Sequence, residues 1–491
     1  MKKKNNKQQK IEKVLIANRG VPAVRIIHTC RDRMIPTTAV YSTPDRLALH
    51  VLMADSAVHV GDAPPSESYL NAEKIIGAAL KSEANAIHPG WGFLAENADF
   101  AQMVIDSGLV WIGPSPEVIA AMGDKIRAKK LAIKANVPTI PGISEVSDIK
   151  QIKKWMKEDE VSYPIMIKAA AGGGGKGMVK VESDKELNTA FAQAKSEALK
   201  AFGDDKLLVE KYIERGRHIE VQVVADQHGN VFHLYERECT LQRRNQKIIE
   251  EAPSPTINDD LRNEICFTAV RLMREIGYTT AGTVEFIFDS ATRKFYFLEV
   301  NTRLQVEHGV TELITGKDIV GLMLDAAEGK EFQFRQEEIR PNRWALECRI
   351  NAEDPRTFSP SFGTITRLKA PLGPGVRVAM GAYEGADIPP YYDSLFMLIM
   401  TAGPARDDAI RVMDRTLSRN LRVEGVKTLA PLLLSIIRHK AFKEGEFSTK
   451  FIEDHMDELV SMFREHDSED EALKIADYVA RISALGPQDW M

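Results

Sequence analysis

No apolar run in the 491-residue sequence approaches the roughly 18 residues a bilayer-spanning helix requires; Leu395–Met400 and Leu432–Ile437 are of core length. No membrane association is therefore expected. Cysteine is scarce: Cys30, Cys239, Cys266 and Cys348 are far apart and form no C-x-x-C pair. That spacing argues against a disulfide framework or a zinc site and for reduced thiols in a cytoplasmic protein. Charge of one sign is also lacking. A net charge of −5 gives no global attraction for nucleic acid, so any cations that hold an anionic substrate must be local. Met1–Lys13 carries six lysines and one glutamate, but only Val14-Leu15-Ile16-Ala17 follows as an apolar stretch. That is too short for a signal core, and the segment reads as a solvated tail. There is no internal repeat and no low-complexity tract. With 44% hydrophobic and 27% charged residues, the chain has an ordinary globular composition and the length for two to four domains.

The most informative feature present is Lys168-Ala169-Ala170-Ala171-Gly172-Gly173-Gly174-Gly175-Lys176-Gly177-Met178, between strand-like Tyr163–Lys168 and Met178–Glu182. Glycine permits positive φ and close backbone approach, so the N–H groups of such a loop can close on phosphate oxygens. Strand, glycine loop, strand describes a hairpin flap over a nucleotide. Gly172, Gly174 and Gly177 match G-x-G-x-x-G literally, but that fingerprint needs a following helix, and Met178–Glu182 alternates as a strand does. No Ser or Thr follows the Gly-Lys pair, and neither His-Arg-Asp nor Asp-Phe-Gly occurs. Walker and kinase loops are thereby set aside. A flexible linker fits poorly, because the glycines are flanked by apolar strands and lack serine.

Three units follow along the chain. Residues 12 to about 123 alternate strands and helices in a parallel α/β pattern. Strands are predicted at Lys13–Ala17, Thr37–Tyr41, Ala86–His88 and Leu109–Ile112, with helices at Ala23–Arg33 and Ala72–Ser82. Pro22 takes a first-turn position. A second unit, about 140–212, contains the flap, a helix at Lys185–Lys200 and a strand at Lys206–Lys211, and is expected to move as a lid. The third, about 213–457, carries antiparallel hairpins. One joins Ile219–Val224 to Val231–Tyr235 and another joins Gly282–Phe288 to Lys294–Asn301, followed by a helix at Lys317–Ala327. A last helical pattern runs through Leu473, Ile475, Tyr478, Val479, Ile482 and Leu485.

Residues two apart on a strand share a face. On the second hairpin Glu285 and Ile287 then share one, and Phe297, Glu299 and Asn301 another, so Glu285, Glu299 and Asn301 can converge. Two carboxylates and an amide oxygen are hard ligands suited to Mg²⁺ on phosphates. A solvated acidic face is the alternative, and the neighbouring flap favours metal. Arg303 offers a planar fork matched to a small oxyanion such as bicarbonate, and Glu307, placed close to that cation, could act as a general base. A surface ion pair would explain the same two residues. Leu241–Lys247 forms a second polar cluster. By themselves Arg349 reads as a satisfied strand arginine and His218 as a structural histidine.

In this order, VLIANRG (14–20), HPGWGFLAEN (88–97), MGDK (122–125), the flap, ERECTLQRRNQK (236–247), EVNTRLQVEH (299–308), ECRINAED (347–354) and PYYDS (390–394) resemble the biotin carboxylase family. The resemblance covers about residues 12–457. It implies an α/β ATP-grasp fold, with an N-terminal pre-ATP-grasp domain at 12–123, the ATP-grasp domain at 129–328, a C-terminal antiparallel biotin carboxylase domain at 343–457 and a helical tail at 458–491. It also implies that ATP and two Mg²⁺ (or Mn²⁺) ions activate bicarbonate as carboxyphosphate, which carboxylates biotin. By the same resemblance Lys125, Lys168, Gly174, Gly175, Glu210, Lys211, Ile213, His218, Gln242 and Asn245 hold ATP. Glu285, Glu299 and Asn301 hold the metals, and Lys247, Arg303, Gln305 and Val306 bind bicarbonate. Glu307 is the base, and Arg349 stabilises the enolate of biotin. The implied partners are a biotin carboxyl carrier protein or domain, a carboxyltransferase subunit and a second copy in a homodimer.

The chain departs from the family pattern at Val21-Pro22 (usually Glu-Ile), Ala171 (Gly), Trp91 (Tyr), Asn245 (His), Gly309 (Pro) and Met397-Leu398 (a small residue, then Lys). None removes an implied metal ligand, Arg303, Glu307 or Arg349, so activity is expected. The rival readings are another ATP-grasp ligase and a non-catalytic nucleotide-binding scaffold.

Overall fold

The computed structural model describes residues 9–169, 178–203 and 205–467. The flap glycines, including Gly174 and Gly175, and the helical pattern from Leu473 onward lie outside the described residues.

The first sheet is parallel and five-stranded. Its spatial order is Ser56–Gly61, Thr37–Ser42, Val14–Ile16, Ala86–His88, Val110–Trp111. Val14–Ile16 is wholly buried and continuously apolar, as a strand covered on both faces must be. Strand order reverses between Val14–Ile16 and Ala86–His88, the place where open α/β sheets present their loops to ligands. Asn18 ties the two loops there together, donating to the carbonyls of Pro89 (2.6 Å) and Trp91 (2.8 Å). The first helix is Gly20–Asp32 and so begins three residues before the predicted Ala23. Its first-turn N–H groups need no intrahelical acceptor, and Pro22 therefore fits inside it.

The small unit is a four-stranded sheet in the order Gly142–Val146, Leu207–Lys211, Ile165–Ala169, Met178–Val181. Helices Ile149–Glu158 and Asp184–Phe202 cover it, and Ile152, Trp155, Ile165, Ile167, Leu187 and Val209 form a core of its own.

The third sheet is antiparallel and eight-stranded. In spatial order it runs Lys294–Asn301, Thr280–Asp289, Gly216–Ala225, Val231–Arg243, Gln246–Ala252, Trp344–Asn351, Leu395–Gly403, Val376–Met380. Pairing of Gln246–Ala252 with Trp344–Asn351 carries one continuous sheet from the acid-bearing hairpin into the C-terminal region. On one face lies the core of Ile219, Val221, Val284, Phe286 and Phe288 with helix Asp259–Glu275. Every residue of Gly216–Ala225 is nonetheless buried, so its polar members His218, Glu220 and Gln222 must find partners inside the protein.

Three departures from the family pattern, Val21, Trp91 and Leu398, meet here. Leu398, the cross-strand partner of Arg349, packs with Val21 and Met400, and the half-buried Trp91 and Val306 lie against them. A Cβ on Gly381 would lie 2.7 Å from the Val21 nitrogen, so that glycine lets the first helix approach the strand Val376–Met380 closely. Gly309 works in the same way, because a Cβ there would sit 2.3 Å from Met400 Sδ.

Candidate active site

A cleft of about 1720 Å³ opens between the loops of the parallel sheet, the small four-stranded unit and the long antiparallel sheet. All the sequence-predicted site residues that fall among the described residues line it.

One predicted geometry is corrected. Glu285 and Glu299 are direct cross-strand partners, but the register shifts at the next pair, Phe286 with Phe297. Leu298 is the extra residue of a bulge. Phe297 therefore packs with Phe286 and Phe295 at the edge of the cleft, and of the three residues expected on one side Glu299 and Asn301 stay together on the face of Glu285. Asn301 Nδ2 donates to Glu285 Oε1 at 2.8 Å, and Asn301 Oδ1 accepts from Arg303 Nη2 at 3.0 Å. Among the described residues Glu299 has no hydrogen bond and no salt bridge. Burial and the Glu285 charge push its carboxyl above the ordinary range. Two adjacent carboxylates, one with no cation in salt-bridge contact, beside an amide form a hard oxygen donor set that fits a magnesium ion.

Lys247 gathers three carboxylates. It donates to Glu285 Oε1 (2.8 Å), to Glu307 Oε1 (2.6 Å) and to Glu220. Burial opposes the charged lysine, but these acids raise it well above its usual value, so it stays cationic. Burial likewise opposes the His218 imidazolium, yet Glu285, 3.1 Å away, leads the groups that raise it to about 9. His218 is thus a member of the cluster and not only a strand filler. Glu307 is held on its other oxygen by Arg349 Nη2 at 2.9 Å, and Arg349 Nε is anchored on Glu250 at 2.6 Å. Burial would raise Glu307, but Lys247 and Arg349 keep it below its ordinary value and therefore ionised.

A second correction concerns Arg303. The acid in contact with it is Glu96, at 2.9 Å, from the loop after Ala86–His88. Glu307 makes its contacts with Lys247 and Arg349 instead.

On the opposite wall Glu210 accepts from Lys168 and Lys129, each at 2.7 Å. Burial disfavours its charge, but the two lysines lower its pKa. Lys125 opens the helix Lys125–Lys134, which Asp124 caps. Burial lowers the pKa of Lys125, and Glu299 offsets part of that. Lys211 is exposed and Ile213 half-buried at the cleft edge. Arg243 and Gln246 flank a two-residue hairpin turn in which Arg244 (φ 48°) and Asn245 (φ 64°) are left-handed, and Gln242 pairs with Lys247 one step further down the hairpin. Asn tolerates that conformation better than most residues, which gives a backbone reason for its presence here.

Sequence reasoning missed the support. Arg237, fully buried, donates to Glu220 (2.6 Å), Gln222 (2.7 Å), Gln305 (2.6 Å), Thr311 (3.0 Å) and Thr283 (3.1 Å). Gln305 in turn donates to Glu285 at 2.9 Å. Charged residues recurring every second position in strands with both faces buried were the available signal.

Comparison with known proteins places this site in context. Residues 10–119 match the family model "Biotin carboxylase, N-terminal domain", 124–335 "Carbamoyl-phosphate synthase L chain, ATP binding domain" and 347–454 "Biotin carboxylase C-terminal domain". Biotin carboxylase 2 of Bacillus subtilis (strain 168) is 49% identical over 445 residues, covering 90% of this chain and 99% of the relative. The 2-oxoglutarate carboxylase small subunit of Hydrogenobacter thermophilus is 45% identical, covering 96% and 98%. The biotin carboxylase domain dimer of the 2-oxoglutarate carboxylase from that organism, solved with MgADP, ADP and bicarbonate, superposes with a TM-score of 0.88 at 45% identity, covering 93% of this chain and 99% of the other. Biotin carboxylase from Campylobacter jejuni, solved as a β-γ-ATP complex, gives 0.88 at 42% identity, covering 91% and 99%.

Proposed function

The chain belongs to the biotin carboxylase family, and we infer from that membership and from the cleft how its residues divide the work. It is an ATP-dependent ligase of the ATP-grasp fold that uses bicarbonate to carboxylate biotin, with magnesium as cofactor.

The reading assigns ATP to the wall of Lys125, Lys168, Glu210, Lys211, Ile213, His218, Gln242 and Asn245, together with Gly174 and Gly175. The three lysines there meet the negative phosphates, and the separate core of the four-stranded unit supports closure as a lid. Magnesium bound by Glu285, Glu299 and Asn301 would neutralise phosphate oxygens and ease the departure of ADP. Bicarbonate sits against Lys247, Arg303, Gln305 and Val306. Glu307 Oε accepts its proton, the freed oxygen attacks the γ-phosphorus, and ADP leaves. The carboxyl group of the resulting carboxyphosphate passes to biotin N1′, the departing phosphate takes up the N1′ proton, and Arg349 balances charge on the ureido oxygen. Closure keeps water from the hydrolysable intermediate.

The observation that carries this reading is the buried chain Glu285–Lys247–Glu307–Arg349, which joins a metal-type donor set to an ionised base and two cations. We further infer that the chain works as the biotin carboxylase component of a multi-subunit carboxylase, carboxylating biotin on a separate carrier protein that also serves a carboxyltransferase, and that it forms a homodimer. No helix among the described residues is long and apolar enough to cross a membrane.

The deciding experiment measures ADP release with and without bicarbonate and free biotin. Release that requires bicarbonate and rises with biotin is expected. Release indifferent to both would overturn the reading, and background turnover unchanged in Glu307→Ala would point to a scaffold.

A further inference from the structure

Behind the site lies a carboxyl group that none of these roles uses. Glu347 is fully buried on the strand Trp344–Asn351, directly across from Glu250 and two residues from Arg349. Neither of its oxygens has a hydrogen-bond partner, and neither has Glu250 Oε2. The acids around it are otherwise matched. Glu220 meets Arg237 and Lys247, Glu285 meets Lys247 and His218, Glu307 meets Lys247 and Arg349, and Glu250 meets Arg349. Among the described residues no cation contacts Glu347. The titratable and charged groups facing it are Glu250 from the neighbouring strand, Arg349 from its own, Glu307 from the loop before helix His308–Thr315, and Arg237 from Val231–Arg243. From the strand Leu395–Gly403 it faces Met400, and the helix brings the small Gly309, whose added Cβ would lie 3.3 Å from Glu347 Oε2. An ionised carboxylate enclosed in this way, beside other acids and without a partner, is the costly state; taking up a proton is the way out.

We propose that Glu347 is a neutral carboxylic acid in the folded protein and a positioning residue of the site. As the acid it leaves Glu250 the one anion that anchors Arg349 Nε, so that Nη2 is aimed at Glu307 and the substrate. Burial and the Glu250 charge, which both push Glu347 well above the usual carboxyl range, agree with this arrangement. The positioning role rests on the assignment of Glu307 and Arg349 to the reaction. The protonation state does not.

Infrared spectroscopy of the full chain without nucleotide tests the protonation directly. A protonated-carboxyl carbonyl band, persisting to about pH 8 and lost in Glu347→Gln, is expected, since a buried acid can stay neutral far above its solution pKa. A wild-type spectrum without the band, or a band that survives in Glu347→Gln, overturns the proposal. Should Glu347→Gln fail to fold, the pH series on the wild type decides alone. In turnover, Glu347→Ala should lower kcat on the order of tenfold to a hundredfold by loosening Arg349, with KM for ATP unchanged. Glu347→Gln should restore most of that rate and keep the acid-limb midpoint of the wild type. A midpoint moved by more than about half a unit would mean that a charge had been removed, and would refute a neutral Glu347. Because the band is read without substrate, it stands whether or not biotin-dependent turnover is found, and the two readings can fail separately.

Discussion

Lys247 Nζ stands 2.6 Å from Glu307 Oε1, and the two side chains are joined inside the protein. A lysine in that place does two things. It keeps the acid ionised when empty, and it offers a cation to any anion that displaces the contact. Glu307→Gln keeps the shape and removes the proton acceptor. Its kcat should fall by roughly 10²–10⁴, the usual worth of a positioned base, while ATP affinity stays near the wild-type value. A competition assay with a labelled nucleotide and a bicarbonate-dependent turnover assay check both halves. Parallel losses in the two would remove Glu307 from the role of base.

Arg303 is anchored by Glu96 from the parallel-sheet domain and by Asn301 from the metal-type hairpin. Arg303→Ala should abolish most biotin carboxylation and raise the bicarbonate requirement, yet retain much of the ATP affinity. Equal loss of ATP binding would contradict the oxyanion role. Glu96→Gln should show a weaker version of the same defect, because it frees the guanidinium without removing it.

Among the described residues Glu299 makes no salt bridge, and Lys125 acts on it only from a distance. Glu299→Gln should raise the magnesium concentration at half-maximal rate at least about tenfold, since a hard cation loses one of two charged ligands. A magnesium titration at saturating ATP reads this. An unchanged titration would take Glu299 out of the metal site.

Acid should destabilise the parallel-sheet domain through two buried histidines. Burial holds His50 at about 4 and His88 at about 3, below the ordinary 6.5. His88 Nδ1 accepts from the Gly90 N–H at 3.0 Å, so its neutral form is built into the loop beside the cleft. As pH falls below 6.5 the unfolded imidazoles take up protons that the folded ones refuse. Stability present above 6.5 is then lost progressively toward 4 and 3. By pH 5 the loss is on the order of 2 kcal/mol for each histidine. Calorimetric unfolding near pH 6 in buffers of different ionisation enthalpy should show net proton uptake. No uptake would exclude this pair as the cause.

Much of the fold was legible because its signals are local. Periodicity placed the strands Thr37–Ser42, Ala86–His88 and Lys294–Asn301 within a residue of where they lie. Ordered motifs brought Glu285, Glu299, Arg303 and Glu307 to one cleft. What period-two alternation cannot report is a bulge, and Leu298 therefore reversed the expected facing of Phe297. Nor does sequence proximity identify ion-pair partners. Arg303 and Glu307 are four residues apart, but each pairs with a side chain from a distant segment. The supporting layer of Arg237, Glu250 and Glu347 was illegible for a third reason. Charged residues in strands read as solvated until a second sheet neighbour and a helix are known to cover them.

The contact of Val21 with Leu398 bears on how this chain can vary. Where the family pattern has glutamate and lysine, this chain has aliphatic side chains that touch across the seam between the first helix and the long sheet. Both side chains are buried, so a charge introduced at either position alone would be enclosed among apolar neighbours without a partner. The part of the cohesion that this contact supplies depends little on ionic strength, because neither side chain is charged, whereas the Arg25–Glu312–Arg377 pairs nearby are open to screening.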